Sequence, residues 1–324
     1  MRRLIAAVGA VVSVVAAGLG VAAESAHAEA ADTCGSASTN RTQGVWLHDS
    51  IASSTDKDWF RFKTTSARHA FVELGGMSAD LSLSVYNASC HLIVTADHTD
   101  DRFEQVYRLL KAGRYYVRVA GVGSANGGYD LRFRSLRNRV LVLSSRAYTD
   151  SIGDLLIPGE VLNNTGARRE FVEVDVTFYN RTGRVIGTDF SFADLDIVRP
   201  WHRSPFEVIH QTPSGYDHYR LRVSSETTNA APLSRLDLHR GVSYTDGIGD
   251  RIYPGEVHNG NTFRVDFTEV IGVLYGTHGN VRYTDFTFTN PDSIGVGGTA
   301  PYELDFGTVT GVNGTAFYVQ AQRH

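Results

Sequence analysis

Apolar and polar residues alternate with a period of two through most of this 324-residue chain. The pattern is plain in Trp59-Phe60-Arg61-Phe62-Lys63, Ala70-Phe71-Val72-Glu73-Leu74, Leu81-Ser82-Leu83-Ser84-Val85-Tyr86, Tyr115-Tyr116-Val117-Arg118-Val119 and Tyr129-Asp130-Leu131-Arg132-Phe133. Such alternation, rich in aromatic and β-branched residues and broken by Gly, Asn, Asp and Ser, is the signature of half-buried strands. Phe60 and Phe62 share one strand face, as do Leu81, Leu83 and Val85, and each set supplies core. Beyond the N-terminal apolar run no stretch keeps a helical period, so the pattern predicts an all-β chain of sandwich domains.

The same grammar recurs at a fixed offset. Tyr148-Thr149-Asp150-Ser151-Ile152-Gly153-Asp154 followed by Pro158-Gly159-Glu160-Val161 returns 96 residues later as Tyr244-Thr245-Asp246-Gly247-Ile248-Gly249-Asp250 and Pro254-Gly255-Glu256-Val257. From Tyr148 to Phe190 the match runs without a gap, with 21 identities in 43 positions. Val172, Val174, Val176 and Phe178 alternate with Glu173, Asp175 and Thr177 before Tyr179 to Gly183 breaks the run as a hairpin turn. Each copy closes on an alternating strand, Tyr219 to Val223 and Phe317 to Ala321. The expected organisation is three β-sandwich domains in tandem, over residues 33–136, 138–224 and 235–324, the last two related by internal duplication. Ser224 to Ser234, rich in Ser, Thr, Asn and Ala, reads as the linker between the copies. A duplicated unit favours binding or spacing over a single catalytic cleft.

Two resemblances attach to these residues. Asp56-Lys57-Asp58-Trp59-Phe60-Arg61-Phe62, Asp80 to Tyr86, Ala112-Gly113-Arg114-Tyr115-Tyr116-Val117-Arg118-Val119 and Gly128-Tyr129-Asp130-Leu131-Arg132 resemble, in order and spacing, the successive blocks of the bacterial pre-peptidase C-terminal (PPC) domain over residues 33–135. That resemblance implies a compact β-sandwich appended to secreted exoenzymes and serving secretion, localisation or substrate binding. Some related domains bind calcium, but no full acidic ligand cluster stands at the start of this one. Gly159-Glu160-Val161 with Asn163, Phe178-Tyr179-Asn180 and Gly183-Arg184-Val185-Ile186 is similar to the secreted FxLYD-type β-sandwich family, without its namesake string, and implies a fold and an extracellular setting.

The N-terminus has the three parts of a secretory signal peptide: Arg2-Arg3, the apolar run Leu4 to Ala23 and Ala26-His27-Ala28. Cleavage is expected after Ala28, which leaves 296 residues and takes the formal charge from −4 to −5 by removing two Arg and one Glu. No later segment is apolar enough to span a bilayer, so the mature chain is expected to be secreted, with no membrane span. Mild acidity and the lack of a basic stripe argue against nucleic acid as partner. Cys34 and Cys90 are the only cysteines and are expected to pair in an oxidising compartment. The alternative is two buried free thiols. A bridge across that loop would stabilise by about 4 kcal/mol on the chain-entropy account.

The duplicated acids Asp150, Asp154 and Glu160, with Asp246, Asp250 and Glu256, are the candidates for a cation such as calcium, since a hard ion takes oxygen ligands. The competing and preferred reading is turn chemistry, with Asp accepting local backbone N–H groups and Gly at positive φ. The same choice applies to Asp56 and Asp58. His202, His210 and His218 recur evenly, but eight extended residues span about 26 Å, too far for shared ligation. No Gly-x-Ser-x-Gly, His-Glu-x-x-His or phosphate-cradling glycine loop is present. Trp201, Tyr216 and Tyr219 are the candidate ligand contacts, as a stacking platform for sugar rings, with Trp201 favoured because Pro200 and His202 place it in a loop. The reading is a secreted, non-enzymatic binding or cell-surface interaction protein whose partner is an extracellular polysaccharide or protein. The alternatives are a secreted hydrolase with an unrecognised site and a structural spacer.

Overall fold

The computed structural model describes residues 30–37, 39–98, 103–150 and 152–324. The signal-peptide expectation therefore falls on residues outside those described. Every regular element among the described residues is a strand. The described residues divide into two compact units, one of those up to residue 138 together with 276–279 and one of those in 139–275 with 280–324.

The first unit contains β1 (Trp46–Ile51), β2 (Lys57–Thr64), β3 (Arg68–Gly75), β4 (Leu81–Asn87), β5 (Leu92–Ala96), β6 (Glu104–Leu110), β7 (Gly113–Gly121) and β8 (Gly127–Leu136). They form two antiparallel four-stranded sheets, in the orders β1-β8-β3-β6 and β2-β7-β4-β5. Phe60 and Phe62 on β2, Leu81, Leu83 and Val85 on β4, and Val117 and Val119 on β7 bury together with Val72, Leu74 and Phe133 of the other sheet. The alternation in the sequence is thus a record of which face meets the opposite sheet. Cys34 and Cys90 are disulfide-bonded, with Cα atoms 6.1 Å apart, and the bridge sits beside Tyr86, Tyr116 and Trp59 in a satellite cluster. Asp56 Oδ2 accepts from the backbone N–H of Ala52, and buried Asp58 accepts from the Tyr129 hydroxyl. Both are engaged in architecture.

In the second unit the first repeat holds β9 (Val140–Ser145), β10 (Tyr148–Thr149), β11 (Asp154–Asn163), β12 (Arg168–Asn180), β13 (Val185–Phe192), β14 (Ile197–Val198), β15 (Arg203–Gln211) and β16 (Tyr216–Thr228). One sheet centres on β11, flanked by β15 on one edge and by β9 and β10 on the other; its partner centres on β12, paired with β13, β14 and β16. The second repeat rebuilds this with β17 (Leu236–Arg240), β18 (Tyr244–Thr245), β19 (Arg251–Asn259), β20 (Val265–Tyr275), β21 (Val281–Phe288), β22 (Thr299–Asp305) and β23 (Gly314–Arg323). The counterpart of β14 is reduced to a single bridge, Val265 to Ile294.

A buried amide locks each copy at the same place. Asn163 Nδ2 donates to the carbonyls of Ala167 (2.8 Å), Val198 (2.9 Å) and Arg199 (3.2 Å). Asn259 does the same to Phe263 (2.9 Å), Ile294 (3.0 Å) and Gly295 (3.1 Å). β16 runs to Thr228, longer than the Ser- and Thr-rich composition suggests, because Glu226, Thr227 and Thr228 pair with Glu170, Arg169 and Arg168. Small β-compatible residues with no core to fill serve an exposed strand end as well as they serve a linker.

Candidate functional site

The duplicated Tyr-Thr-Asp loops are turns. Asp150 Oδ1 accepts from the backbone N–H groups of Ile152 (3.0 Å) and Asp154 (2.9 Å), and Gly153 takes φ +94°. Asp246 Oδ1 accepts from Ile248 and Asp250, each at 2.9 Å, with Gly249 at φ +95°. One carboxylate oxygen of each leading Asp therefore closes a short backbone ring that a left-handed glycine permits. Glu160 and Glu256 lie further along on β11 and β19 and do not join those loops. Among the described residues no group of three or more His, Cys, Asp and Glu side chains is placed to hold a metal ion. The calcium expectation at Asp150, Asp154, Glu160, Asp246, Asp250 and Glu256 finds no converging ligand set.

Glu160 has a different task. It is 1% exposed, ion-paired with Arg203 on the neighbouring strand (3.0 Å), and its Oε1 accepts from the hydroxyls of Tyr275 (2.7 Å) and Tyr318 (2.9 Å) of the second repeat. Burial and the charge of Glu160 push both tyrosines well up, so they stay protonated donors. Burial works against the charge on Arg203, but Glu160 outweighs it and holds the guanidinium protonated. The four groups bind β11 and β15 of one copy to β20 and β23 of the other. Its duplicate Glu256 is exposed.

The same seam gathers acids from both copies. Burial, followed by the charges of Glu269 and Asp285, pushes Asp194 up to about 7. Burial, then Asp285 and Asp194, pushes Glu207 up to about 8, and burial pushes Asp285 up to about 6. Glu269 is raised by burial although Gln320 Nε2 donates to it (2.6 Å). The same Nε2 donates to the Asp194 carbonyl (2.7 Å), and the backbone N–H of Asp196 donates to Gln320 Oε1 (2.9 Å).

Of the expected ligand contacts, Trp201 is 42% exposed and sits at φ +66°. Its backbone N–H donates to the Asn163 carbonyl (2.8 Å), and Gly297 takes the matching place in the second copy with the same φ. Tyr216 and Tyr219 are not displayed. Both pack partly buried against the core of the first repeat; the Tyr216 ring meets Phe178 edge-on at 6.0 Å, and the Tyr219 hydroxyl bonds Ser145 Oγ at 2.8 Å. A strand that alternates turns such aromatics toward the face that meets the opposite sheet, and both rings lie partly on that face.

The structure presents three other aromatics, and it presents them twice. Phe190 and Phe192 on β13 are 55% and 44% exposed; Phe286 and Phe288 on β21 are 54% and 46%. Each pair meets edge to face, at 5.8 Å and 84° in the first copy and 6.2 Å and 88° in the second. Phe192 and Phe190 face Glu173 and Asp175 across β12. Close by along β12, at a bulge, Phe171 takes φ +47° and is 65% exposed; its duplicate Phe267 on β20 takes φ +50° and is 57% exposed. A bulky side chain at positive φ costs of order 1–3 kcal/mol, and such strain concentrates where a side chain is being aimed. The signal in the sequence was an identical phenylalanine at offset 96 in a position whose neighbours place it on the solvent side of its strand.

No family model matches the chain, and no curated relative matches it. Among solved structures it is similar to the pre-peptidase C-terminal domain of a collagenase from Bacillus anthracis, at 15% identity and TM-score 0.25, covering 30% of this chain and 100% of that one. It is also similar to a glycoside hydrolase family 2 β-glucuronidase, at 7% identity and TM-score 0.31, covering 74% of this chain and 24% of that one. An exo-chitosanase from Amycolatopsis orientalis is similar at 10% identity and TM-score 0.29, covering 83% of this chain and 28% of that one. The chain spans about a quarter of the length of these two hydrolases. The all-β sandwich fold itself stands on the strand pairing described above.

Proposed function

We propose that this chain is an exported, non-enzymatic binding protein whose two phenylalanine patches hold an extracellular polymer at two equivalent points. The observation that supports this reading is the duplication of an exposed aromatic trio with one member at positive φ: Phe171, Phe190 and Phe192, and again Phe267, Phe286 and Phe288, with Phe171 and Phe267 the strained positions. Exposed apolar side chains scattered singly need no explanation, whereas the same cluster kept at the same positions in both copies does. Two weak patches on one unit act together on a ligand that repeats, such as a cell-wall polysaccharide or a surface protein in many copies, and the second contact is then made at high effective concentration.

The test is retention on insoluble polysaccharides and on insoluble protein substrates. Wild-type protein is expected to be retained by one of these, the F190A/F192A or F286A/F288A pair to weaken retention, and the fourfold variant to abolish it. Retention unaffected by the fourfold variant sinks the patch assignment, and no retention on any substrate leaves the spacer reading. A hydrolase reading draws its only support from the raised carboxyls Asp194, Glu207 and Asp285, since perturbed acids cluster at catalytic sites. Cleavage of a glycan or peptide that is lost in E207Q would establish it.

A further inference from the structure

The two repeats meet through unlike faces. The outward face of the β9-β11-β15 sheet of the first copy, carrying Pro158, Glu160 and Pro205, covers the outward face of the β21-β20-β23 sheet of the second, carrying Ile271, Val273 and Tyr318. Ile271 and Val273 are fully buried although they point away from the core of their own sandwich, where Val270 and Leu274 lie. Because both copies have one fold, the two equivalent faces are left over at the ends. The outward face of β12, β13 and β16 exposes Phe190, Phe192 and Arg222, and the outward face of β19 and β22 exposes Glu256, Pro301 and Glu303. A contact between unlike faces is not satisfied by a symmetric pair; unless its rotation closes a ring, it continues from molecule to molecule.

We propose that the outward β19–β22 face of one molecule docks on the outward β12–β16 face of a second copy of this chain, repeating the internal contact and building open head-to-tail chains. The substitutions between the copies support this because they are reciprocal at the position of buried Glu160. Inside the molecule Glu160 is neutralised by Arg203 of its own face and capped by Tyr275 and Tyr318 of the other. At the free end Thr299 stands in place of Arg203, so Glu256 has lost the arginine on its own face. On the opposite free face Tyr179 keeps the place of Tyr275, while Arg222 stands in place of Tyr318. The arginine has moved from the same face to the facing one, where a second copy would supply it. Pro254 and Pro301 keep the places of Pro158 and Pro205.

The contact between molecules is wetter than the one within. Ile271, Val273 and Ala316 are replaced on the free face by Asp175, Thr177 and Arg220. That polarity keeps the end face soluble, as terminal units of a stacked array require, and makes association reversible and dependent on ionic strength.

Sedimentation velocity of the full mature chain over a concentration series, at low and high salt, tests the proposal. The weight-average mass is expected to rise with concentration past the dimer and to fall back with salt. R222E alone and E256R alone should each weaken association by roughly tenfold or more, because like charges then face each other. An equimolar mixture of the two variants should associate again, since each Glu then faces an Arg at every junction. Both residues are exposed, so the variants are expected to fold. A wild type that stays monomeric, a species that stops at a symmetric dimer, variants that associate like wild type, or a mixture that does not recover would each overturn the proposal.

Discussion

Glu160 and Glu256 are the same residue of the same fold, yet one is 1% exposed and the other stands at the surface. Their immediate sequence does not distinguish them, because Pro158-Gly159-Glu160-Val161 and Pro254-Gly255-Glu256-Val257 are identical. What differs is the neighbour: Arg203, Tyr275 and Tyr318 converge on the first and not on the second. Removing one partner of a buried pair leaves the other charge uncompensated, at a cost of about 3–5 kcal/mol, whereas a surface carboxylate matters little. E160A is therefore expected to lower the urea midpoint of the C-terminal unit by a stability change of that size, and E256A by less than about 0.5 kcal/mol. Equal effects would mean that the Glu160 network is not what the seam rests on.

At the scale of strands, the seam between the repeats makes stability depend on pH. Asp194 precedes β14, Glu207 lies on β15, Glu269 on β20 and Asp285 on β21, and burial raises all four, with mutual repulsion adding at Asp194 and Glu207. A carboxyl whose folded pKa exceeds its unfolded value binds a proton more readily in the native state. Its contribution is then most favourable below the unfolded value near 4 and is lost as pH rises through the folded value. These groups are expected to lower the melting temperature of the C-terminal unit as pH goes from about 4 to about 8, the highest value being that of Glu207. Thermal melts across that range check it, and E207Q should flatten the slope; a melting temperature that climbs through the window would contradict the assignment.

Sequence periodicity located these strands well. Phe60 and Phe62 on β2 and the alternating Val172 to Phe178 on β12 lie where the pattern puts them. The candidate site was less legible. The difference between β12 and β20 was written in the sequence, since the polar partners Asp175 and Thr177 give way to Ile271 and Val273 and turn an alternating strand into a continuous apolar run, Val270 to Tyr275 apart from Gly272. A strand buried on both faces reads that way. What covers the second face could not be read, because Glu160, Tyr275 and Tyr318 are 115 and 158 positions apart.

For the whole C-terminal unit, the apolar part of the seam decides whether two sandwiches behave as one. Stability of a stacked array is the sum of each unit's own stability and a term for each interface, and a strong interface term makes neighbours unfold together. Here that term includes fully buried Ile271 and Val273 and the Glu160 network. The two repeats are accordingly expected to melt in a single calorimetric transition in the full chain, while the transition that shifts on reducing Cys34–Cys90 belongs to the first domain. I271D puts into the covered face the carboxylate that the exposed face already carries at Asp175, and burying it unpaired costs several kcal/mol. That cost falls on the interface term, so the single transition should split in two, with the second repeat melting at the lower temperature. The converse change, D175I, alters only an outward face of the first repeat and should leave the single transition whole. A wild type already showing separate transitions for the two repeats, or an I271D variant that loses stability without splitting, would show that the sandwiches are joined side by side rather than coupled.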